Sequence, residues 1–195
     1  MPDARAALML LTLVVTCVPA RADPGEAAAT ARGPAFEAGM VLARPAALET
    51  GLATGVGLGF VSGGGLLAWG ARGSWASATE YTLTHEVRHD EVRLSLDGAV
   101  QHTLGPGTMA LRLGLGGTLV RERRTRDQGG RAGLSGDALE ATAWRALPGA
   151  DLAAVVTLRV VGDWGLVVGG GPTLHLLEGD LRPGWAGTLA VAWLP

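Results

Sequence analysis

The sequence predicts an all-β chain: a single closed, antiparallel, up-and-down β-barrel of about eight strands, with ten as the alternative count. The first observation is a two-residue alternation, clearest in residues 91–101, where Val92 and Leu94 share one strand face and Glu91 and Arg93 the other. The second is that the opposite face carries glycine, alanine and nearly all the strand charges. This combination is typical of a transmembrane barrel with lipid outside and a tight polar interior.

The amino terminus predicts export. Residues 1–22 have the pattern of a cleaved secretory signal peptide, with Arg5 before an apolar run over 6–15 and an Ala-Arg-Ala cleavage site at 20–22. Cys17 is the only cysteine, and lipid modification of this residue is the alternative. Cleavage after residue 22 leaves a mature chain without cysteine, which excludes disulfides and thiolate metal sites.

Composition narrows the class of protein further. The chain has 16 basic and 18 acidic residues and a net charge of −2, so no basic excess points to a nucleic-acid partner. Beyond the signal, no apolar run is long enough for a transmembrane helix, and closed barrels are the other way to satisfy the backbone in lipid. We expect residues 23–34 to form a flexible segment and 35–195 to form the barrel.

Eight segments carry the period of a strand. They cover residues 35–43, 48–60, 66–88, 91–104, 108–121, 152–161, 164–177 and 184–194. Residues 122–151 interrupt the pattern, and within them 138–146 suits either a short helix or a strand. With both termini in the periplasm, the short turns at 61–65, 105–107 and 162–163 are periplasmic and the long interruption lies outside the cell.

Aromatic residues predict two membrane-interface belts. Trp185 and Trp193 are eight residues apart on one strand, which is about 20 Å of height for a strand that rises ~3.3 Å per residue with a tilt near 40°. That height is close to the apolar band of a small barrel. The predicted belt residues are Phe36, Phe60, Trp69, Trp75, Tyr81, Trp164, Trp185 and Trp193.

The inward face predicts a charge network in the lumen. Its members are Glu37, Glu49, Arg72, Glu80, Glu86, Arg88, Glu91, Arg93, Asp97, Arg112, Arg159 and His175. Buried charges must be paired or solvated, and an eight-stranded barrel is narrow enough for side chains to fill. A closed plug of ion pairs is therefore the favoured interpretation, and a narrow polar or conducting path is the alternative.

A basic external loop is predicted within the long interruption. It contains Arg121, Arg123, Arg124, Arg126 and Arg131. Solvation alone explains such a cluster, and the functional alternative is contact with anionic lipid headgroups or an external partner.

No catalytic, metal or cofactor site is predicted. The histidines at 85 and 89 lie near acidic residues, but no second cluster completes a metal geometry. No G-x-S-x-G motif occurs, and none of the mature serines lies within a few residues of a histidine along a strand.

The signal peptide, outward-apolar strands, aromatic belts and a strand near the carboxyl terminus together resemble the small outer-membrane β-barrels of the OmpA/OmpX type. The resemblance implies residence in the outer membrane of a Gram-negative bacterium, contact with its lipid, and insertion by the barrel-assembly machinery. Such barrels usually end on an aromatic residue, whereas Trp193 here stands two residues before the end.

The resulting functional expectation is a non-enzymatic barrel with a structural or surface-interaction role and an unknown external ligand. A narrow pore or small-molecule carrier of the same fold is the first alternative. A secreted soluble barrel that binds a hydrophobic ligand is the second.

Overall fold

The computed structural model describes residues 34–45, 51–81, 85–126 and 140–195. The predicted signal peptide and most of the predicted flexible segment lie outside these residues. The described residues form one closed antiparallel barrel in which each strand pairs with its neighbours in sequence and β8 pairs with β1. The strands are β1 (Ala35–Ala43), β2 (Ala53–Ser62), β3 (Leu67–Tyr81), β4 (His85–Leu104), β5 (Gly107–Arg126), β6 (Glu140–Val161), β7 (Trp164–Leu177) and β8 (Asp180–Trp193). The predicted fold class is confirmed. No helix in the described part of the chain has the length and apolarity needed to cross a membrane.

The strands are staggered around the ring. A path of paired residues that starts at Ala35 passes through Val61, Gly70, Asp97, Gly114, Asp151, Thr173 and Gly184. Because Gly184 lies opposite position 45 in the β8–β1 register, one circuit advances ten residues along β1. Such a shear tilts the strands by about 40° and closes an eight-stranded barrel around an interior that side chains fill.

The barrel has a tall and a low half. Strands β4, β5 and β6 contain 20, 20 and 22 residues, and β3 contains 15; we call β3–β6 the tall wall. Strands β1, β2, β7 and β8 contain 9, 10, 14 and 14 residues; these form the low wall. The pairing of β6 with β5 begins at Glu140, whereas its pairing with β7 begins only at Gly149. The upper ends of β5 and β6 therefore rise above the low wall.

The predicted boundary between the third and fourth strands is wrong. The sequence favoured one strand over 66–88 and a turn at 89–90, but β3 ends at Tyr81 and β4 begins at His85. The polar residues His89 and Asp90 suggested a turn, but they lie inside β4. The upper end of β4 extends beyond the residues that show apolar alternation. Shifting the turn by several residues exchanges the faces of the side chains that follow it.

The predicted interruption over 122–151 is also wrong in extent. Strand β5 continues to Arg126 and β6 starts at Glu140, so only 127–139 separates them. The ambiguous segment 138–146 is mostly strand, and it is the first part of β6 rather than an additional strand. The end of β5 lacks apolar alternation because both of its faces are polar, and the start of β6 lacks it because small alanines such as Ala143 and Ala146 lie on both faces. Both arrangements hide a strand from a hydrophobic pattern.

Proline and glycine mark the irregular points of the wall. Pro172 lies inside β7, and the β6–β7 ladder passes from the Asp151–Thr173 pair directly to the Ala154–Gly170 pair. Proline has no N–H to donate, so the ladder is interrupted beside it. The β7–β8 connection is shorter than the gap of 178–183 between the two predicted strands, because Leu177 already pairs with Asp180. Glu178 and Gly179 have φ angles of 54° and 90°, as a two-residue hairpin turn requires.

Candidate functional site

The two faces of the barrel wall differ in exposure and chemistry. Asp97 and Arg112 point inward and are only 6% exposed. Leu58 and Leu96 point outward and are 69% and 72% exposed. The apolar parity of the strands therefore faces away from the barrel axis, and the polar parity fills the interior. A soluble protein would arrange these faces in the opposite way.

The first interior ion pair joins β5 to β1. The Arg112 guanidinium donates from Nη1 to Glu37 Oε2 at 2.9 Å and from Nη2 to Glu37 Oε1 at 2.5 Å. Both residues are buried, and the bidentate geometry uses the planar fork of arginine fully. Gly59 on β2 provides space beside this pair, because a Cβ there would lie 3.2 Å from Glu37 Oε2 and 3.4 Å from Arg72 Cγ.

The second interior cluster centres on Arg72 of β3. Its guanidinium donates to both carboxylate oxygens of Asp97, at 2.9 Å from Nη2 to Oδ1, and to Asp151 Oδ2 at 2.7 Å. Ser95 Oγ also donates to Asp97 Oδ1, at 3.1 Å. Gly114 lies between the two carboxylates, where a Cβ would come within 2.5 Å of Asp151 Oδ1 and 2.7 Å of Asp97 Oδ1. Glycine at this position therefore lets one arginine bind two acids.

The third interior cluster joins β4 to β7. Arg93 Nη2 lies 3.0 Å from His175 Nε2, and Arg93 Nε donates to Thr118 Oγ1 at 3.4 Å. A guanidinium only donates, so His175 Nε2 accepts and the imidazole proton resides on Nδ1. Both His175 Nδ1 and Thr173 Oγ1 are buried and lack a hydrogen-bond partner among the described residues. Each has the character of a site for an ordered water.

A small cavity connects these clusters. It has a volume of about 70 Å³, and its polar lining includes Arg72, Arg93, Arg112, Asp151 and Thr173. On β4, Ala99 lies opposite Arg112 of β5, and Ser95 lies opposite Arg72 of β3. Arg93 is on β4 itself, two residues from Ser95. The three guanidiniums therefore occupy successive levels of the lumen instead of a single ring.

Other predicted lumen residues lie near the ends of the barrel. Glu91 is buried, at 4% exposure. Glu80 and Arg159 lie on inward-facing strand positions but are exposed at opposite mouths, and Arg159 Nη2 donates to the Leu194 carbonyl at 2.8 Å. Glu49 lies outside the described residues.

Two predicted lumen residues require correction. Glu86 and Arg88 were placed inward as part of the third strand, but they lie on β4, on the same face as Val92, which points outward. Arg88 Nε donates to Asp90 Oδ1 at 3.2 Å, and the Arg88 side chain is half exposed. The misplaced hairpin turn is the reason for the error.

Sequence reasoning missed Asp151, Ser95 and Thr118 as interior partners. Asp151 was assigned to the predicted interruption over 122–151, and Pro148 stands three residues before it. It nevertheless has the same parity as the inward residues of β6, so extending the two-residue period through the proline identifies it. The missed residues share one property: each receives a hydrogen bond from, or gives one to, a charged group predicted correctly to be inward.

Five of the predicted belt residues form an aromatic row at the ends of the strands near the predicted periplasmic turns. Phe36 packs against Phe60 at a centroid distance of 5.4 Å and against Trp193 at 6.0 Å. Phe60 contacts Trp69 at 5.5 Å, and Trp164 pairs with Trp193 across β7 and β8. Amphipathic rings at one height are characteristic of a membrane–water interface.

The remaining predicted belt residues are spread over the outer face. Trp75, Tyr81 and Trp185 are exposed, but Trp75 and Tyr81 are six residues apart on β3, so they lie at different heights. Trp144 was not among the predicted belt residues. It is 59% exposed and lies on the outer face of β6, near the top of the tall wall.

The predicted basic loop is largely strand. Arg121 and Arg123 lie on the outer face of β5, in line with exposed Leu119, whereas Arg124 lies on the inner face and its Nε donates to Glu122 at 2.5 Å. The side chain of Arg126 and all of Arg131 lie outside the described part of the structure. Strand alternation thus divides a cluster that appears uniform in sequence.

The outer arginines have an unusual setting. The Arg121 guanidinium lies over the Trp144 ring, 5.4 Å from its centroid, in cation–π geometry. Arg121 Nε is buried and has no hydrogen-bond partner among the described residues. Across the β4–β5 ladder, Arg121 lies opposite Asp90 and Arg123 lies opposite Arg88.

The interior has the chemistry of an ion-pair plug. Its carboxylates accept from arginines, and the hydroxyl of Ser95 donates to a carboxylate rather than to an imidazole. Within the described ranges, no group of three or more histidine, cysteine or acidic residues could hold a metal ion.

Comparison with known proteins identifies solved structures that have a similar fold. No protein-family model and no curated protein matches the chain. Among solved structures, it is similar to a major outer membrane protein from Thermus thermophilus, with a TM-score of 0.59, 15% identity, and coverage of 83% of this chain and 99% of that one.

Two further structures have similar folds. Ail, the attachment invasion locus protein of Yersinia pestis, gives a TM-score of 0.52 at 11% identity, covering 84% of this chain and 99% of Ail. Neisserial surface protein A gives 0.50 at 13% identity, covering 82% and 94%. The chain therefore has the fold of the small eight-stranded outer-membrane β-barrels, as its resemblance to the OmpA/OmpX type implied.

Proposed function

We propose that this protein is an integral barrel of the bacterial outer membrane, without enzymatic activity, whose lumen is plugged and whose outer end contacts the surroundings of the cell. The observation that carries the proposal is the outward orientation of the apolar parity. Large side chains such as Leu58, Leu94 and Leu115 are more than 60% exposed. Only a hydrocarbon surrounding removes this surface from water.

The height of the apolar face fits a bilayer. On β5 the outward residues run without charge from Met109 to Leu119, a distance of ten residues. At ~3.3 Å per residue and a tilt of about 40°, this stretch is about 25 Å high. The apolar band of transmembrane barrels has the same height, about 25 Å. Above Leu119 the same face becomes arginine.

The interior supports a plug rather than a channel. The Arg112–Glu37 pair and the Arg72–Asp97–Asp151 cluster cross the lumen between strands that are far apart in sequence. The cavity between them, about 70 Å³, has room for a few waters only. This polar filling also disfavours the alternative of a soluble barrel with a hydrophobic ligand in its centre.

A surface-interaction role is supported by the tall wall. Strands β4–β6 continue beyond the apolar band and carry charged residues on both faces. Ail, one of the proteins with a similar fold, is described as an attachment invasion locus protein. We propose that the tall wall is the part of this chain that meets an external partner.

Membrane residence is tested by fractionation. The protein is expected in the detergent-extracted outer membrane, and to migrate differently on a denaturing gel before and after boiling, because a lipid-facing barrel resists unfolding by detergent when cold. Release into the soluble fraction without detergent, with identical migration in both samples, would contradict the proposal and favour the soluble alternative.

Closure of the lumen is tested in planar bilayers. The wild-type barrel is expected to give no steady conductance, because ion pairs fill its interior. Its conductance is compared with that of the Arg72→Ala/Arg112→Ala double variant, which lacks the two arginines that pair across the lumen. Heat-modifiable migration checks that the variant is folded. Steady channels from the folded wild type would favour the narrow-pore alternative.

A further inference from the structure

One titratable side chain is buried on the inner face of the tall wall, above the apolar band. We propose that His89 is an acid-sensitive latch: its neutral imidazole packs the upper ends of β3, β4 and β5 together, and protonation loosens them. The latch adds regulation by acidity to the proposed surface role of the tall wall, and it rests on that role.

His89 lies above the hydrocarbon but inside the barrel wall. Its ladder partner on β5 is Glu122, which follows Leu119, the last apolar position of the outer face, by three residues. At ~3.3 Å per residue and a tilt of about 40°, this places the pair about 8 Å above the apolar band. His89 shares the inward parity of Glu91, the next charged residue below it on this face of β4, and is only 3% exposed. Protein atoms rather than lipid therefore bury it.

The buried side of the imidazole has no acceptor for a second proton. His89 Nδ1 is buried and has no hydrogen-bond partner among the described residues. In the neutral ring with its proton on Nε2, Nδ1 carries only a lone pair. Protonation adds an N–H and a positive charge at this position, and a buried charged donor without an acceptor costs more than an unused lone pair. The geometry therefore favours the neutral ring.

The charged groups around His89 do not outweigh its burial. Burial lowers the pKa of His89 from its ordinary value of 6.5 and is the largest influence, whereas Glu122, Glu80 and Asp90 act in the opposite direction. Arg124 acts together with burial. Glu122 is directly opposite on β5, but its Oε1 already accepts from Arg124 Nε. An imidazolium at position 89 would therefore compete with an arginine for its nearest acid.

Acid is expected to weaken the tall wall at this point. Because the pKa of His89 is lower in the folded wall than in an unfolded chain, the stability that this residue contributes is complete above about pH 6.5 and is lost progressively below it. His89 lies between Ala78 of β3 and Glu122 of β5, so a charged ring that turns toward water leaves a gap between three strands. The low wall does not support this level, since β2 pairs with β3 only as far as Ser77.

The test measures amide hydrogen exchange of the full-length barrel in phospholipid nanodiscs by mass spectrometry. Exchange is compared at about pH 7.5 and about pH 5, on either side of the ordinary pKa of histidine, with exchange times adjusted for the intrinsic effect of pH. Protection of the upper peptides 86–91 and 120–124 is expected to fall at least about fivefold at the lower pH, as a buried donor without an acceptor implies. Protection of 94–101, lower on β4, is expected to stay within about twofold.

Two variants assign the change to one imidazole. His89→Gln replaces the ring with a neutral amide and is expected to remove the pH dependence of the upper peptides. His102→Gln removes an exposed imidazole from the lower end of the same strand and is expected to behave like the wild type. An NMR titration of the wild-type imidazoles, assigned through their backbone amides, needs no variant. It is expected to give His89 a midpoint below pH 6.5.

Three outcomes overturn the latch. An equal loss of protection in His89→Gln would assign the pH dependence to the surrounding carboxylates. An equal loss in lower β4 would assign it to the whole barrel. A midpoint for His89 at or above pH 6.5 would show that burial does not oppose its protonation. Heat-modifiable migration of every variant at neutral pH separates failure of the latch from failure of the barrel proposal.

Discussion

The tall wall and the low wall fill the same lumen in opposite ways. The tall wall projects long charged side chains inward, among them Arg72, Arg93 and Arg112. Around the cavity the low wall faces them mainly with glycine, alanine and valine, apart from Glu37, Thr173, His175 and Thr188. A narrow barrel cannot accept large side chains from every strand, since its interior is only wide enough to be filled once. The plug therefore depends on small residues as much as on ion pairs.

The largest expected effect is on the pair that links the two walls. Arg112→Ala should reduce the free energy of unfolding by about 3–5 kcal/mol, because it leaves the buried Glu37 carboxylate without its partner. The measurement is urea unfolding of the barrel in lipid vesicles. The Glu37→Leu/Arg112→Met variant removes both charges and should lose less than half as much. Equal losses in the two variants would show that lost packing, not an unpaired charge, is responsible.

The next effect concerns volume on the low wall. Gly59→Leu should destabilise the barrel by about 2–3 kcal/mol, because overpacking forces the neighbouring Glu37 and Arg72 side chains to move. The same unfolding assay measures it. Leu58→Ile, an outward change on the same strand, serves as the control and should have little effect. A neutral Gly59→Leu would mean that the lumen has spare room and that the small residues are not needed for the plug.

A smaller effect is expected on the tall wall, where a glycine separates two carboxylates. Gly114→Ala should cost about 1–2 kcal/mol, because its Cβ would collide with Asp97 and Asp151. Gly98→Ala is the matched control: a Cβ there meets nothing within 4 Å. Its effect should be within about 0.5 kcal/mol of zero. Indistinguishable unfolding curves for the two alanine variants would contradict the assigned role of Gly114.

The smallest effect is expected on the outer face of the low wall. Phe36→Leu keeps an apolar side chain but removes the ring that contacts Phe60 and Trp193, so it should cost about 1 kcal/mol. Met40→Leu on the same face of β1 provides the comparison and should be nearly neutral. A loss for Met40→Leu as large as that for Phe36→Leu would assign the effect to general apolar contact instead of to the aromatic row.

Most strands could be predicted because their pattern is local. Within the apolar band, alternate residues meet hydrocarbon and lumen, so Val92, Leu94 and Leu96 identify their strand unaided. The errors at 82–90 and in the upper part of 122–151 occur above the band, where water or headgroups contact both faces and neither face needs to be apolar. The same reasoning explains why Arg121 and Arg124 appeared equivalent in sequence. Among these errors Asp151 is the exception, because it lies opposite Gly114 within the band.

The sequence alone determined the strand period, the outward direction of the apolar face and the inward position of most charges, since each depends only on a residue and its neighbours at positions i±2. The tertiary structure alone decided which charges meet: Arg112 and Glu37 are 75 residues apart, and Arg72 and Asp151 are 79 apart. Those contacts depend on the shear of ten residues by which the ring closes, and shear is a property of all eight registers together. No local stretch of the chain contains that information.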